Sequence, residues 1–430
     1  KAPISAARKK ESNGVKDYSG MLNRERIIER LQWLILLLLF AYDGFTYLPE
    51  ESNFALIKSA YYVLILIAFL FIITLQMRSG KVEFRRIGHL SFLIQLFIWL
   101  YFLRVYYDFM ITGVKQEIVT NPLAAVFLYA NAAIVPFYGF AFFRWEGMDL
   151  RKLNTALLFI FLAMGMVSLS YIATGKALEY IGSDGRFMGN ESMDTIAFGH
   201  LGTTITILAL SLFYQRDIRL WHKLVSAFAI IAGLFVSIAA GSRGALVALI
   251  VCFIAYLYMN GHKMKILIGL PVLAGLCILL LPILNDILIS FDNQALDRLY
   301  NSIYDPNSME SGVTSGRDVL YQLAIKHILG SPFFGSSLFL KGEYVHNSVL
   351  EAFLGTGIFG GALFVVIIIS VLISAFRMGE KDKRYLFASL LFIQYLTYSL
   401  FSRTLSMLPL FWLSMYLVLF LFAHKNDLTI

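Results

Sequence analysis

Long apolar runs recur along the chain and are separated by short polar joints. Apolar runs of about 18 or more residues can cross a bilayer core of about 30 Å as helices, and the pattern predicts about 12 of them. The predicted spans are 31–48, 54–76, 87–110, 122–143, 153–173, 195–214, 220–239, 243–260, 263–290, 346–376, 383–402 and 405–423. The fold class predicted is an all-α polytopic membrane protein.

Composition supports this class. The chain is 58% hydrophobic and 15% charged, whereas soluble domains are about 45–50% apolar and about 25% charged. A soluble globular protein is therefore excluded. The net charge of +8 is explained by membrane topology, and we expect no nucleic-acid partner.

Basic residues concentrate in alternate joints, such as RSGKVEFRR, RWEGMDLRK and FRMGEKDKR. About 25 of the 36 Lys and Arg residues lie on one side of the predicted membrane, which marks the inner side. Both termini are therefore expected inside. Residues 1–30 form a flexible basic tail, 31–290 carry helices one to nine with a short outer loop at 174–194, 291–345 form a long outer loop, and 346–430 carry the last three helices and a short inner tail.

The long outer loop has structure of its own. Its segment SGRDVLYQLAIKHILGSPFFG begins with a capping pattern, Ser315 followed by Asp318, and ends at Gly330 and Pro332. The spacing predicts an amphipathic helix on the outer membrane surface. Its predicted apolar face is Val319, Leu320, Leu323, Ala324, His327 and Ile328.

Several basic residues lie on the outer side, against the general charge pattern. Arg243, in GSRG, stands between two apolar runs, where a charge costs several kcal/mol unless it is paired or faces water. It either reaches the outer headgroups, pairs with Asp184 or Asp194, or binds a ligand. Arg186, in GRFMGN, is either a solvated loop residue or a ligand contact.

Other outer residues have plainer interpretations. Arg298 and Arg403 are interpreted as surface or interfacial residues. His346, which opens VHNSVLEAFLGTGIFGG, is either a histidine at the start of an interfacial helix or a catalytic residue. His200 and His327 occupy positions unlike those of a metal site.

The outer arginines and His346 could support only a few kinds of reaction. Guanidinium groups bind phosphate oxygens in pairs, and a histidine can accept a proton near neutral pH. Two arginines beside His346 would suit a lipid-linked pyrophosphate, since the outer compartment lacks ATP. The chain has no P-loop, GxGxxG, HExxH, CxxC or GxSxG motif. The spacing of Asp292, Asp297 and Asp305 gives no argument for a metal, and we expect neither metal nor cofactor.

The motifs together resemble the O-antigen ligase and polymerase superfamily. The resemblance rests on GRFMGN, GSRGALVALI, SGRDVLYQLAIKHILGSPFFGSS and VHNSVLEAFLGTGIFGGALF, and covers about 180–365. It implies that Arg186 and Arg243 contact the donor pyrophosphate and that His346 activates the acceptor hydroxyl. Arg317 and Asn347 are placed among the substrate-binding residues, with Arg317 structural or orienting. Asn190, Glu191 and Ser192 depart from the Asn-Pro pair of many relatives.

The resemblance also implies a metal-independent, inverting glycosyltransferase in the bacterial inner membrane, with its active site facing the periplasm. The donor would be an undecaprenyl-diphosphate-linked glycan, and membrane lipids would surround the protein. A ligase transfers the glycan to the lipid A–core oligosaccharide, and a polymerase transfers it to another lipid-linked repeat unit. We favour the ligase. A transporter of lipid-linked sugar is an alternative, although the two halves look unalike and the charges cluster at one face; a non-catalytic scaffold is another.

Overall fold

The computed structural model describes most of the predicted helices and the second half of the long loop. The described residues are 25–41, 54–78, 88–113, 121–145, 148–173, 194–215, 218–262, 275, 279–287, 289–290, 300–301, 304, 317–340 and 342–427. Most of the predicted tail, nearly all of the loop at 174–194, much of the span at 263–290 and most of 291–316 lie outside this set. Arg186, Arg298 and Ser315 are among the residues that lie outside it.

Helices dominate the described residues. They are α1 (25–41), α2 (Phe54–Arg78), α3 (Gly88–Tyr106), α4 (Pro122–Tyr129), α5 (Val135–Ala141), α6 (Leu150–Ala173), α7 (Thr195–Phe213), α8 (Leu220–Ala239), α9 (Arg243–Met259), α10 (279–287), α11 (Arg317–Gly330), α12 (Ser348–Lys381), α13 (Leu386–Phe401) and α14 (Pro409–Asp427). Two strands, β1 (Phe339–Leu340) and β2 (Glu343–Tyr344), pair antiparallel before α12. Short π-helical turns follow α3 (Tyr107–Ile111) and join α4 to α5 (Ala130–Ile134).

Six of the described helical segments are long and apolar enough to cross a membrane, and three further apolar helices are shorter. The prediction of an all-α polytopic membrane protein is confirmed to this extent. The number of about 12 spans and the sidedness of the termini stay predictions.

Helix α7 lies at the centre of the bundle, and 78% of the residues in its most apolar stretch are buried. It packs closely on α8 through two facing glycines. A Cβ at Gly202 would lie 2.5 Å from the carbonyl oxygen of Gly233, and a Cβ at Gly233 would lie 2.6 Å from that of Gly202. Small residues let helices approach in this way inside a membrane, and the contact fixes the helix that leads into the candidate site.

Helix α12 is broken near its start, which the apolar pattern did not predict. Gly357 has φ 69° and ψ −169°, a backbone conformation open to glycine. The loop after α11 fills the break, since the amide of Ile358 donates to the carbonyl of Pro332 at 2.7 Å. The amide of Ser336 donates to the carbonyl of Leu354 at 2.8 Å. The Pro-aromatic-Gly turn thus satisfies backbone groups that a broken helix leaves free.

The same loop is anchored to α3 by a buried carboxylate. Asp108 is 1% exposed, accepts from the amide of Leu338 at 2.7 Å and pairs with Arg104 at 2.7 Å. Arg104 also donates to the carbonyl of Ser336. Buried charges need such partners, and together they hold the segment that leads to the hairpin and His346.

Helix α11 ends where the sequence predicts, at Gly330, and its predicted cap at Ser315 lies outside the described residues. Ala324 is buried, where α11 packs on α12 and the hairpin, whereas Val319 is 65% exposed and His327 is exposed as well. That the apolar face of α11 lies on the membrane surface stays a prediction.

Candidate functional site

Several helix ends meet at one end of the bundle, around the last turn of α13. Arg317, the first residue of α11, donates to the carbonyl of Phe401. Asn347, just before α12, donates to the carbonyl of Leu400 at 3.1 Å. A Cβ at Gly244, in the first turn of α9, would lie 3.8 Å from Cβ of Phe401. The starts of α9, α11 and α12 therefore surround the end of α13.

His346 lies between the hairpin and α12 in a left-handed conformation, with φ 58°. Its ring is 4.2 Å from the ring of Tyr344, centroid to centroid, and within the described part of the chain its buried Nδ1 has no hydrogen-bond partner. Burial, and then the positive charges of Arg317 and Arg403, lower the pKa of His346 to about 4. The imidazole is therefore unprotonated at neutral pH and available to accept a proton.

The neighbouring Asn347 caps α12. Its Oδ1 accepts from the amides of Val349 at 3.1 Å and Leu350 at 3.0 Å, and its Nδ2 is bound to α13. Such a cap stabilises the helix start by about 1 kcal/mol and fixes the residue before it. A role of Asn347 in substrate binding stays a prediction.

Arg403 lies at this end of the bundle, partly exposed and paired, and its interpretation as a surface or interfacial residue stays a prediction. Its side chain is 29% exposed and its Nη2 lies 2.7 Å from Oδ2 of Asp194. Its Nε donates to the hydroxyl of Tyr398 at 3.2 Å. Asp194 also caps α7 by accepting from the amide of Ala197 at 2.6 Å. The charge rule placed Arg403 on the outer side, and its two partners are Asp194, just before α7, and Tyr398, five residues earlier in α13.

Two of the three arginines predicted to bind substrate lie among the described residues. Arg243 is half-buried and forms the first residue of α9, with Ser242 as its N-cap. The carboxylate of Asp194, one partner considered for Arg243, is paired with Arg403. Arg317 lies at the same end of the bundle, whereas Arg186 and Asp184 lie outside the described residues. Arg243, Arg317, Arg403 and His346 thus share one end.

Two buried residues at this end were not singled out as site residues. Glu351 is 0% exposed in the first turn of α12, and His200 of α7 stacks on Tyr398 with ring centroids 3.7 Å apart. A carboxylate inside an apolar run is by itself a signal of function, and this signal would have found Glu351. His200 carries the same signal, but its stacking on Tyr398 of α13 could not be predicted from the sequence.

Three guanidinium groups lie at this end of the bundle. They belong to Arg243, Arg317 and Arg403, of which Arg403 is paired with Asp194. Guanidinium groups and the first turn of α9 both favour anions with several oxygen atoms. The site can therefore bind a multiply charged anion next to an unprotonated imidazole.

Comparison with known families identifies the region that carries most of these residues. Residues 227–365 match the family model described as O-antigen ligase. The match includes Arg243, Arg317, His346 and Asn347, and Arg403 lies beyond it. No curated protein matches the chain. The family covers ligases and polymerases, which are membrane glycosyltransferase-like enzymes. The chain therefore carries a domain of the O-antigen ligase superfamily at residues 227–365.

Proposed function

We propose that the protein is an O-antigen ligase. It transfers an O-antigen glycan from undecaprenyl diphosphate to the lipid A–core oligosaccharide at the periplasmic face of the bacterial inner membrane. The observation that carries this proposal is the position of His346, whose buried Nδ1 has no hydrogen-bond partner among the described residues, at the end of the bundle that also holds Arg243, Arg317 and Arg403. Burial and the charges of Arg317 and Arg403 lower the pKa of His346 to about 4. A base next to a cationic pocket is what glycosyl transfer from a pyrophosphate requires.

In the proposed reaction His346 takes the proton of the acceptor hydroxyl. The hydroxyl oxygen then forms a bond to the anomeric carbon of the donor, and the bond from that carbon to the pyrophosphate oxygen breaks, with inversion. Arg243 and Arg186 bind the departing pyrophosphate, because guanidinium groups stabilise the negative charge that develops on it. Arg317 orients the donor at the start of α11. The pyrophosphate leaves with its lipid carrier.

The donor also changes the base. Its negative charges offset the field of Arg317 and Arg403, which lowers the pKa of His346 in the free protein. The pKa of His346 therefore rises when the donor binds, and the imidazole becomes a stronger base. The site thus activates the acceptor hydroxyl mainly when a donor is present.

The test is deletion of the gene followed by complementation. Deletion should leave lipid A–core without attached glycan and should accumulate lipid-linked polymer, whereas a core that carries a single repeat unit identifies a polymerase. His346→Ala at wild-type membrane levels should not restore transfer. His327→Ala, a change of an exposed histidine on α11, is the matched control and should restore it. Glycan transfer by His346→Ala would contradict the proposed mechanism.

Metal independence is tested on the purified protein. Transfer from a lipid-linked donor to lipid A–core in detergent should continue after chelation with EDTA, since arginines carry the pyrophosphate in this proposal. Loss of transfer on chelation, with recovery when a divalent cation is restored, would contradict it. A transporter would give no product in this assay, because it forms no glycosidic bond between donor and acceptor.

A further inference from the structure

Glu351 is a buried carboxyl group that connects three parts of the protein. It lies five residues after His346, in the first turn of α12, and is 0% exposed. It accepts hydrogen bonds from the hydroxyl of Tyr101 on α3 and from Oγ1 of Thr404 at 2.5 Å. The amide of Leu405 donates to it at 3.2 Å. Burying this group without such donors would cost several kcal/mol.

Two of these donors directly follow Arg403. Arg403 has φ 66°, a conformation that costs a non-glycine residue about 1–3 kcal/mol and persists where neighbouring contacts impose it. On its other side the amide of Ser402 donates to the carbonyl of Tyr398 at 2.9 Å. The connection 402–405 is therefore held by α13 before Arg403 and by Glu351 after it.

The first turn of α12 is held against α13 as well. Oγ of Ser348 lies 2.9 Å from Oγ of Ser399, and Asn347 donates to Leu400. Glu351 thus joins the turn that carries Arg403 to the helix start that carries His346.

We propose that Glu351 is a positioning residue of the transfer site, whose buried carboxyl group locks the 402–405 connection onto the first turn of α12 and so fixes Arg403 relative to His346. This inference rests on the function proposed above. Glu351 touches neither substrate; it acts through Arg403 and His346.

The test measures the pKa of His346, which depends on the charges around it. Diethylpyrocarbonate modifies an unprotonated imidazole, so the rate at which it labels His346, followed by mass spectrometry against pH, gives the pKa of this residue. Among the described residues, the charged and titratable groups that face it are Arg317 on α11, Arg403 on the 402–405 connection and Tyr344 on β2. In the wild type the labelling rate should reach half of its maximum at a pH of about 4, the midpoint of the profile. The rate should therefore change little between about pH 5 and about pH 7.5.

Glu351→Gln should change this profile, because the amide nitrogen that replaces Oε2 cannot accept from the amide of Leu405 and a neutral amide oxygen is a weaker acceptor than a carboxylate oxygen toward Thr404. Arg403 is then no longer held, and the midpoint should move from about 4 toward 6.5. Glycan transfer should fall by about tenfold or more. Thr404→Val, which removes one donor from the connection, should move the midpoint in the same direction by less.

Two variants separate positioning from a general structural role. Tyr101→Phe removes a donor to the same carboxyl group from α3 and should leave the profile of His346 close to wild type. Glu343→Gln, a change of an exposed carboxylate on β2, should alter neither profile nor transfer. Equal shifts in Tyr101→Phe and Thr404→Val would overturn the inference.

An unchanged midpoint in either Glu351→Gln or Thr404→Val, in protein with wild-type thermal stability, would also overturn it. If one of the two does not fold, the other decides, and if neither folds while Tyr101→Phe does, the role is structural and the inference fails. The labelling does not depend on catalysis. A shifted midpoint together with active His346→Ala would support the positional link between Glu351 and His346 and would reject the proposed role of His346 in transfer.

Discussion

His346 and Arg403 are the two non-glycine residues with positive φ among those described, at 58° and 66°. They lie on different connections, one before α12 and one after α13, and the charge of Arg403 contributes to lowering the pKa of His346. Unfavourable backbone conformations of this kind cluster where surrounding contacts impose a functional geometry. The backbone contacts that impose these two conformations therefore also set the distance between the charge of Arg403 and the imidazole of the proposed base, His346.

The first prediction concerns Arg403. Arg403→Lys keeps the charge but replaces a planar fork with one ammonium group, which cannot hold both Asp194 and Tyr398 as the guanidinium does. We expect transfer by the purified protein to fall by about tenfold to a hundredfold.

The matched control is Arg384→Lys between α12 and α13. Arg384 also pairs with an aspartate, Asp382, at 2.7 Å, but its side chain is 66% exposed. Exposed pairs contribute about 0–1 kcal/mol, so this variant should transfer like the wild type. Equal activity of both variants would show that Arg403 has no specific role.

The second prediction concerns pH. A base works in its unprotonated form, so kcat/KM should be lost as pH falls through the pKa of free His346, about 4. Arg317→Gln removes one of the charges that depress this pKa, and the acid limb of kcat/KM should move to higher pH. The acid limb of kcat, which reports the donor-bound protein, should lie above that of kcat/KM in the wild type. Coincident limbs in wild type and variant would contradict the assignment of His346 as the base.

The third prediction concerns Arg243. Arg243→Lys keeps the positive charge at the start of α9 and loses bidentate binding of phosphate oxygens. We expect weaker binding of a lipid-linked pyrophosphate and a fall in transfer of about a hundredfold. Arg219→Lys, at the exposed N-cap of α8, is the control and should bind and transfer normally. Full activity of Arg243→Lys would argue against a pyrophosphate contact.

The fourth prediction concerns the break in α12. An alanine at Gly357 would adopt φ 69° and place its Cβ 2.2 Å from the carbonyl oxygen of Phe333. Strain and overlap together should cost about 2–5 kcal/mol. The thermal unfolding midpoint in detergent should fall, and the loop at 331–338 should become sensitive to protease.

Gly330→Ala provides the comparison for this variant. Gly330 ends α11, and a Cβ there would meet nothing within 4 Å. Its stability should stay within about 0.5 kcal/mol of the wild type. A Gly357→Ala variant as stable as Gly330→Ala would mean that the Pro332–Phe334 turn is not docked into the break.

The predicted elements compare well with the observed helices. The spans at 220–239 and 243–260 match α8 and α9 within one residue, and the loop helix ends at Gly330 as predicted. Apolar runs determine helix positions because each run must satisfy its own backbone in the membrane. The break at Gly357 was not predicted, since a glycine in an apolar run does not reveal that a distant loop supplies its hydrogen bonds.

In the candidate site, too, some features could be predicted from the sequence and others could not. The outer arginines and His346 could be selected from the sequence, because charges beside apolar runs are costly and need a reason. The pairing of Arg403 with Asp194 could not be predicted, since Asp194 lies 209 residues earlier, at the start of α7.

The sequence by itself determined the class of the protein, the positions of most helices and the residue types available for binding an anion and accepting a proton. The tertiary structure decided which of these residues meet. Helix formation depends on neighbours in sequence, whereas the burial and pairing of Glu351, Arg403 and His346 depend on contacts between α3, α7, α12 and α13, and such contacts form when the helices pack.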